Sequence, residues 1–164
     1  MPDAEKSLLW LPCLKRLQVY GIFELLILIS AAPNLNHLCV DYDCLASQLD
    51  NKSICNLFER QIIRLDICDW TSIEPDALQR IVQVFRSLNH LVIVPQDSAI
   101  LIDWIPLTLL KFWNSKELPS LSVNGSPSDE AKKNLRQWLI ENIHLLTEDS
   151  FGVEYQDGWF NLWL

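Results

Sequence analysis

Leu14-Lys15-Arg16-Leu17-Gln18-Val19 and Leu35-Asn36-His37-Leu38-Cys39-Val40 share one pattern, apolar-x-x-apolar-x-apolar, and its recurrence decides the fold. The pattern returns as Ile62–Leu65–Ile67, Leu88–Leu91–Ile93 and Leu118–Leu121–Val123, with successive starts 21, 27, 26 and 30 residues apart. Such a period identifies a stack of similar supersecondary units, each too small to bury its apolar face alone. In a strand, side chains alternate between faces, so the second and third apolar positions of each motif point to one side. A helix must return the chain before the next parallel strand can begin.

The segments between the motifs have the character of return helices. In Pro75–Ser87, residues Leu78, Ile81, Val82 and Phe85 recur on one helical face. Ile22–Ala32 is apolar nearly all round, and Leu45–Phe58 is interrupted by Asp50, Asn51 and Lys52, which predicts a broken helix. Pro106 within Ala99–Trp113 is expected to end or kink any helix that precedes it. Ser126-Pro127-Ser128-Asp129 reads as a helix start, with Ser126 as cap and Pro127 at the first helical position. The helix it begins is expected to carry Ala131, Leu135, Trp138 and Leu139 on one face and to end near Asn142.

The tail changes period. Phe151, Val153 and Tyr155 alternate, Gln156-Asp157-Gly158 makes a turn, and Phe160, Leu162 and Leu164 alternate again, with Trp159 and Trp163 opposite them. This predicts a hairpin that caps the last repeat, with Trp138, Trp159 and Trp163 as its packing. The expected architecture is therefore α/β: one domain over 1–164, five repeats over 8–125, and a C-terminal helix and capping strands over 126–164. The sheet should be curved and parallel, of five or six strands, backed by helices. The first repeat has no cap ahead of it, which suggests a missing N-terminal domain or a partner covering that edge.

Composition narrows the function. The 164 residues carry 21 acidic and 13 basic side chains, a net charge of −8, which argues against nucleic acid as partner and makes a basic partner surface more plausible than an acidic one. Asp3 and Glu5 precede only a short apolar stretch, unlike a secretory leader, and no apolar run reaches the roughly 18 residues of a membrane span. Cys13, Cys39, Cys44, Cys55 and Cys68 form an odd set without paired spacing, so reduced thiols in cytoplasm or nucleus are expected. Phosphate-loop, dinucleotide, zincin and nucleophile-elbow motifs are absent, so an enzyme is not expected and no cofactor is implied. Asp129, Glu130, Glu141, Glu148, Asp149 and Glu154 read as a solvated acidic face.

Leu11-Pro12-Cys13-Leu14-Lys15-Arg16-Leu17-Gln18-Val19 and Pro33-Asn34-Leu35-Asn36-His37-Leu38-Cys39-Val40 each place a proline shortly before an L-x-x-L-x-V strand. From about Leu8 to Leu164 the chain resembles the ribonuclease-inhibitor-like branch of leucine-rich repeats, particularly the irregular repeats of F-box proteins. Two departures stand out. Ile22, Asp43, Trp70, Gln96 and Pro127 occupy the positions where regular repeats carry asparagine, and no F-box precedes Leu8. The resemblance implies a protein-binding module that recognises a substrate or partner through its concave face. An autonomous inhibitor, or a fragment with no binding role of its own, is the alternative.

Stacking the motifs puts Arg16, His37, Arg64, His90 and Ser120 in one column of that face. Gln18, Cys39, Asp66, Val92 and Ser122 form the second, and Tyr20, Asp41, Cys68, Val94 and Asn124 the third. Arg16, Gln18, Tyr20, His37, Asp41, Arg64, Asp66 and His90 are the candidate partner-binding residues. An Arg/His ladder on an acidic protein suits a carboxylate-bearing or phosphorylated peptide, which arginine grips bidentately. The plainer reading is that these positions are polar because they face water. His37, Cys39 and Cys68 also invite comparison with a zinc site or an activated thiol, but no metal-ligand spacing supports either.

Overall fold

The computed structural model describes residues 9–164 except 22, 114–119, 145 and 148, so Leu8, Ile22, Leu118 and Glu148 lie outside the described residues. In chain order the elements are β1 (Arg16–Val19), α1 (Leu25–Ala31), β2 (His37–Asp41), α2 (Tyr42–Gln48), α3 (Lys52–Gln61), β3 (Arg64–Trp70) and α4 (Pro75–Val84). There follow β4 (His90–Pro95), α5 (Trp104–Phe112), β5 (Ser120–Asn124), α6 (Asp129–Lys133), α7 (Leu135–Asn142), β6 (Gly152–Gln156) and β7 (Trp159–Trp163). All seven strands form one open sheet in the order β1-β2-β3-β4-β5-β7-β6.

The first five strands are parallel and aligned motif to motif. Leu17, Leu38, Leu65, Leu91 and Leu121 are successive register partners, as are Val19, Val40, Ile67, Ile93 and Val123. Strand entry is fixed by a repeated backbone contact. The Lys15 carbonyl accepts from both Asn36 and His37 amides at 3.0 Å, and the Asn36 carbonyl accepts from Ile63 and Arg64, again at 3.0 Å. The Ile63 carbonyl does the same for Asn89 and His90, and the Asn89 carbonyl accepts from Ser120.

The apolar face of the sheet packs against the helices in a single core. Leu25 and Ile29 of α1, Ile54 and Phe58 of α3, Leu78 and Ile81 of α4, and Ile105 and Leu109 of α5 are fully buried there. Phe58 stacks on Phe85 at 4.8 Å, and Trp70 stacks on Tyr42 at 4.2 Å while its indole donates to the Ser72 carbonyl. Of the ten motif residues expected in the core, all are buried except Leu17, which is half-buried because, among the described residues, β1 has a strand on one side only. At the same edge Leu9, Trp10, Tyr20, Phe23 and Ile27 are exposed.

Local capping explains where the helices break. Between α2 and α3 the Asn51 side chain accepts from the Ser53 and Ile54 amides, restarting the helix as the sequence predicts. The C-terminal helix departs from expectation in two ways. Its cap is Ser128, whose hydroxyl accepts from Ala131, whereas the Ser126 hydroxyl turns to the Pro127 carbonyl. The helix is also divided, because Asn134 interrupts it and recaps α7 through the Gln137 amide. Pro106 does not end a helix either. It occupies the first turn of α5, where its missing N–H breaks no intrahelical bond.

The tail hairpin is larger than expected, since both of its strands join the sheet. Asp157 and Gly158 take positive φ values of 52° and 81°, the paired left-handed conformation of a two-residue hairpin turn. The Gly158 carbonyl then accepts from the Gly125 amide and the Asn124 side chain, which fastens the turn to the end of β5. Strand β7 runs antiparallel to β5, and Phe160 and Leu162 extend the buried face beside Val123 and Leu121.

Burial along the sheet sets the cost of truncation. Leu65→Ala should lower unfolding free energy by about 2–5 kcal/mol, as expected for an enclosed leucine. Leu17→Ala should cost only about 1 kcal/mol, because its side chain is already partly wet. Denaturant melts of the two variants test this order, and a reversal would be inconsistent with an open β1 edge.

Candidate functional site

The face of the sheet opposite the helices holds the predicted columns. Arg16, His37, Arg64, His90 and Ser120 are consecutive register partners, so the first column is a single row across five strands. Gln18, Cys39, Asp66, Val92 and Ser122 form the second row in the same way. The third column does not hold. Asp41 pairs with Cys68, but Asp69 adopts φ 52° and a register shift between Ile67 and Trp70 carries Val94 out of line. Tyr20 lies past the end of β1.

The rows are not uniformly solvated. Arg16, Gln18, Arg64 and His90 are exposed, His37 is half-buried, and Cys39 and Asp66 are buried. Asp66 is the buried charged residue at the centre of the face, with 12% of its side chain accessible. Its carboxylate accepts from His37 Nε2 at 2.8 Å and from Arg64 Nε at 3.0 Å. A carboxylate accepts, so Nε2 is the donating ring nitrogen in this contact. The sequence treated these three as separate contact residues, whereas the fold joins them into one cluster. The reason is the sheet itself: His37 and Arg64 are register partners, and Asp66 lies two residues along on the same face.

Three other candidates make local contacts. Asp41 caps α2 by accepting from the Cys44 amide at 2.7 Å, and its second oxygen accepts from the Gly21 amide. The Gln18 side-chain amide donates to the Tyr20 hydroxyl. At the other end of the first row, His90 Nδ1 and the Ser120 hydroxyl are hydrogen-bonded.

The rows continue into the hairpin, which the sequence did not anticipate. Trp163 is the register partner of Ser120 and Asn161 that of Ser122, whose hydroxyl donates to Asn161 Oδ1 at 2.7 Å. Trp163 was expected to pack inside the cap, yet it is 44% exposed, while Phe160 and Leu162 on the other face are buried. Alternation along the tail placed Trp163 on the correct side. The sequence allowed for a sixth strand in the sheet, and β7, paired with β5, takes that place.

Cys39 Sγ and Cys68 Sγ lie 3.8 Å apart on neighbouring strands. His37 directs its Nε2 to Asp66 and not to these thiols, and among the described residues no group of three or more His, Cys, Asp or Glu is placed to hold a metal ion. Burial pushes the Cys39, Cys44 and Cys55 thiols upward. Cys68 is pushed up from about 9 to about 12, first by burial and then by the neighbouring Cys39, Asp69 and Asp66. A thiol held this firmly protonated is a poor nucleophile at neutral pH.

These shifts give a measurable pattern. At pH 8, native alkylation should modify the exposed Cys13 first and the other four slowly, with five adducts once the chain is denatured. The folded state keeps the Cys68 proton to higher pH than the unfolded chain. Its contribution to stability is therefore complete below about 9 and is lost as pH climbs toward 12. Denaturant midpoints across that window should fall less steeply in Cys68→Ser than in the unmodified protein.

Comparison with protein-family models, with curated proteins and with solved structures yields no match.

Proposed function

We propose that the chain is a leucine-rich-repeat-like solenoid of the ribonuclease-inhibitor type that binds another protein through the open face of its sheet. The observation that carries this reading is the unbroken row Arg16–His37–Arg64–His90–Ser120, one side chain from each of five adjacent parallel strands. Neighbouring strands are about 4.8 Å apart, so the row presents regularly spaced hydrogen-bonding groups over about 19 Å. The arginine and imidazole groups of the row favour an acidic or phosphorylated segment at this face, against the chain's net charge of −8. Substrate recognition of the kind performed by F-box proteins fits this arrangement, as does a free-standing inhibitor, and both use the same face.

The pairing of Asp66 sharpens the expectation. Asp66 holds Arg64 Nε and His37 Nε2, so their orientations are set before any partner arrives, which lowers the entropy lost on binding. Arg16 and His90 flank this fixed centre.

A partner captured from an extract, identified by mass spectrometry and then purified, supplies the titration. Arg64→Ala should weaken it by roughly 2 kcal/mol or more if the row is the contact centre. Because that change also leaves Asp66 with one cation fewer, Arg16→Ala is the cleaner companion. It should weaken binding to a smaller degree and leave the thermal melt unchanged. Affinity should also fall with added salt. Equal affinities for both variants and the unmodified protein would move the interface off this face.

A further inference from the structure

Trp163 occupies an unusual place on the open face. On one side its register partner is Ser120, the last residue of the arginine–histidine row, and on the other it is Gly152 of the edge strand β6. A methyl group added at Gly152 would come within 3.0 Å of ring carbon Cε3 and within 3.8 Å of two further ring carbons. The ring thus lies directly over the Gly152 backbone, in space that any larger residue would fill. Gly152 is not in a left-handed conformation, so clearance for the indole is what its missing side chain provides here. The ring lies against the Gly152 backbone on one side and is 44% exposed.

An indole fixed in this way loses little entropy when something packs on it, and aromatic residues of this kind dominate interface energetics. It stands at the end of a row that is otherwise polar. From Arg64 on β3 the row steps through β4 and β5 to β7, three strand spacings or about 14 Å. An extended chain rises about 3.3 Å per residue, so four or five residues bridge that distance.

Resting on the reading of the open face as a protein-binding surface, we propose that Trp163 seated on Gly152 is an apolar anchor site that takes an aromatic or large aliphatic side chain of an extended partner segment, four or five residues from an acidic residue held at Arg64. The partner class is therefore an acidic segment carrying one bulky apolar residue, laid across the strands.

Fluorescein-labelled peptides with a Gly/Ser background, one Glu and one Phe separated by one to seven residues, test this by fluorescence polarisation. The expected result is tightest binding at a separation of four or five. Trp163→Ala should weaken that peptide about tenfold while leaving a Phe-to-Gly control peptide unaffected. Gly152→Ala, which displaces the ring, should act in the same direction, and Trp163→Phe should fall between, with unchanged circular dichroism as the check on folding. Binding that depends on Arg64 but ignores the Phe and its spacing would overturn the anchor site while leaving the open-face reading intact. Absence of binding across the series would overturn the extended-segment proposal, and the Arg16 and Arg64 titrations with a purified partner would still judge the broader reading separately. Spacing-dependent binding that survives in Trp163→Ala would place the anchor elsewhere.

Discussion

The arrangement of the open face depends on the register of five parallel strands. A side-chain period of two means that a slip of one residue would carry every apolar motif residue to the open face and every polar one into the core. Two features hold the register. The leucine row Leu38–Leu65–Leu91–Leu121 is fully enclosed, so exposure of any member is costly. At each strand entry, one carbonyl from Lys15, Asn36, Ile63 or Asn89 takes the first amides of the next strand. The arginine–histidine row is therefore a by-product of core packing, since it occupies the alternate positions of strands that the core has already aligned.

That by-product has a cost, which Asp66 offsets. Placing Arg64 and His37 side by side across a strand spacing of about 4.8 Å sets two cationic or potentially cationic groups together. A carboxylate two residues along β3 lies between them and bonds to both. The cluster neutralises one negative charge on the open face and holds two donors in place. Cys39, opposite Asp66 in the register, is buried beside it, so the centre of the face is firmer and drier than its polar composition suggests.

The strands and their facing were legible in the sequence because a six-residue motif with three apolar positions fixes both the element and its orientation, and five copies fix the order. The two straight rows follow from that alone. What was illegible depended on side chains choosing among local partners. Ser126 and Ser128 are both plausible caps in sequence, and only the hydrogen bond from Ser128 to Asp103 and the pairing of Ser126 with Leu101 decide between them. Pro106 breaks a helix only where its amide would have an intrahelical acceptor, and in the first turn of α5, two residues after Trp104, it would have none. The third column fails at Asp69, whose left-handed backbone no pattern of apolar spacing can announce. Asp41, read as a contact residue, is spent on capping α2.

The two edges of the sheet contrast in a way that bears on what the open face is for. At β1 nothing among the described residues continues the sheet, and Leu17, Tyr20, Phe23 and Ile27 remain partly or largely in water. At β5 the chain invests two further strands and a positive-φ turn to continue it. Closing the core at that end requires only the apolar side of the hairpin, through Phe160, Leu162 and Phe151. Hydrophobic closure gives no reason for an exposed indole on the opposite side, nor for a glycine beneath it. A cap selected for coverage alone would favour a polar residue at position 163 and a strand-forming residue at 152, since glycine weakens a strand. Both departures fall at one contact, in line with the row Arg16–His37–Arg64–His90–Ser120.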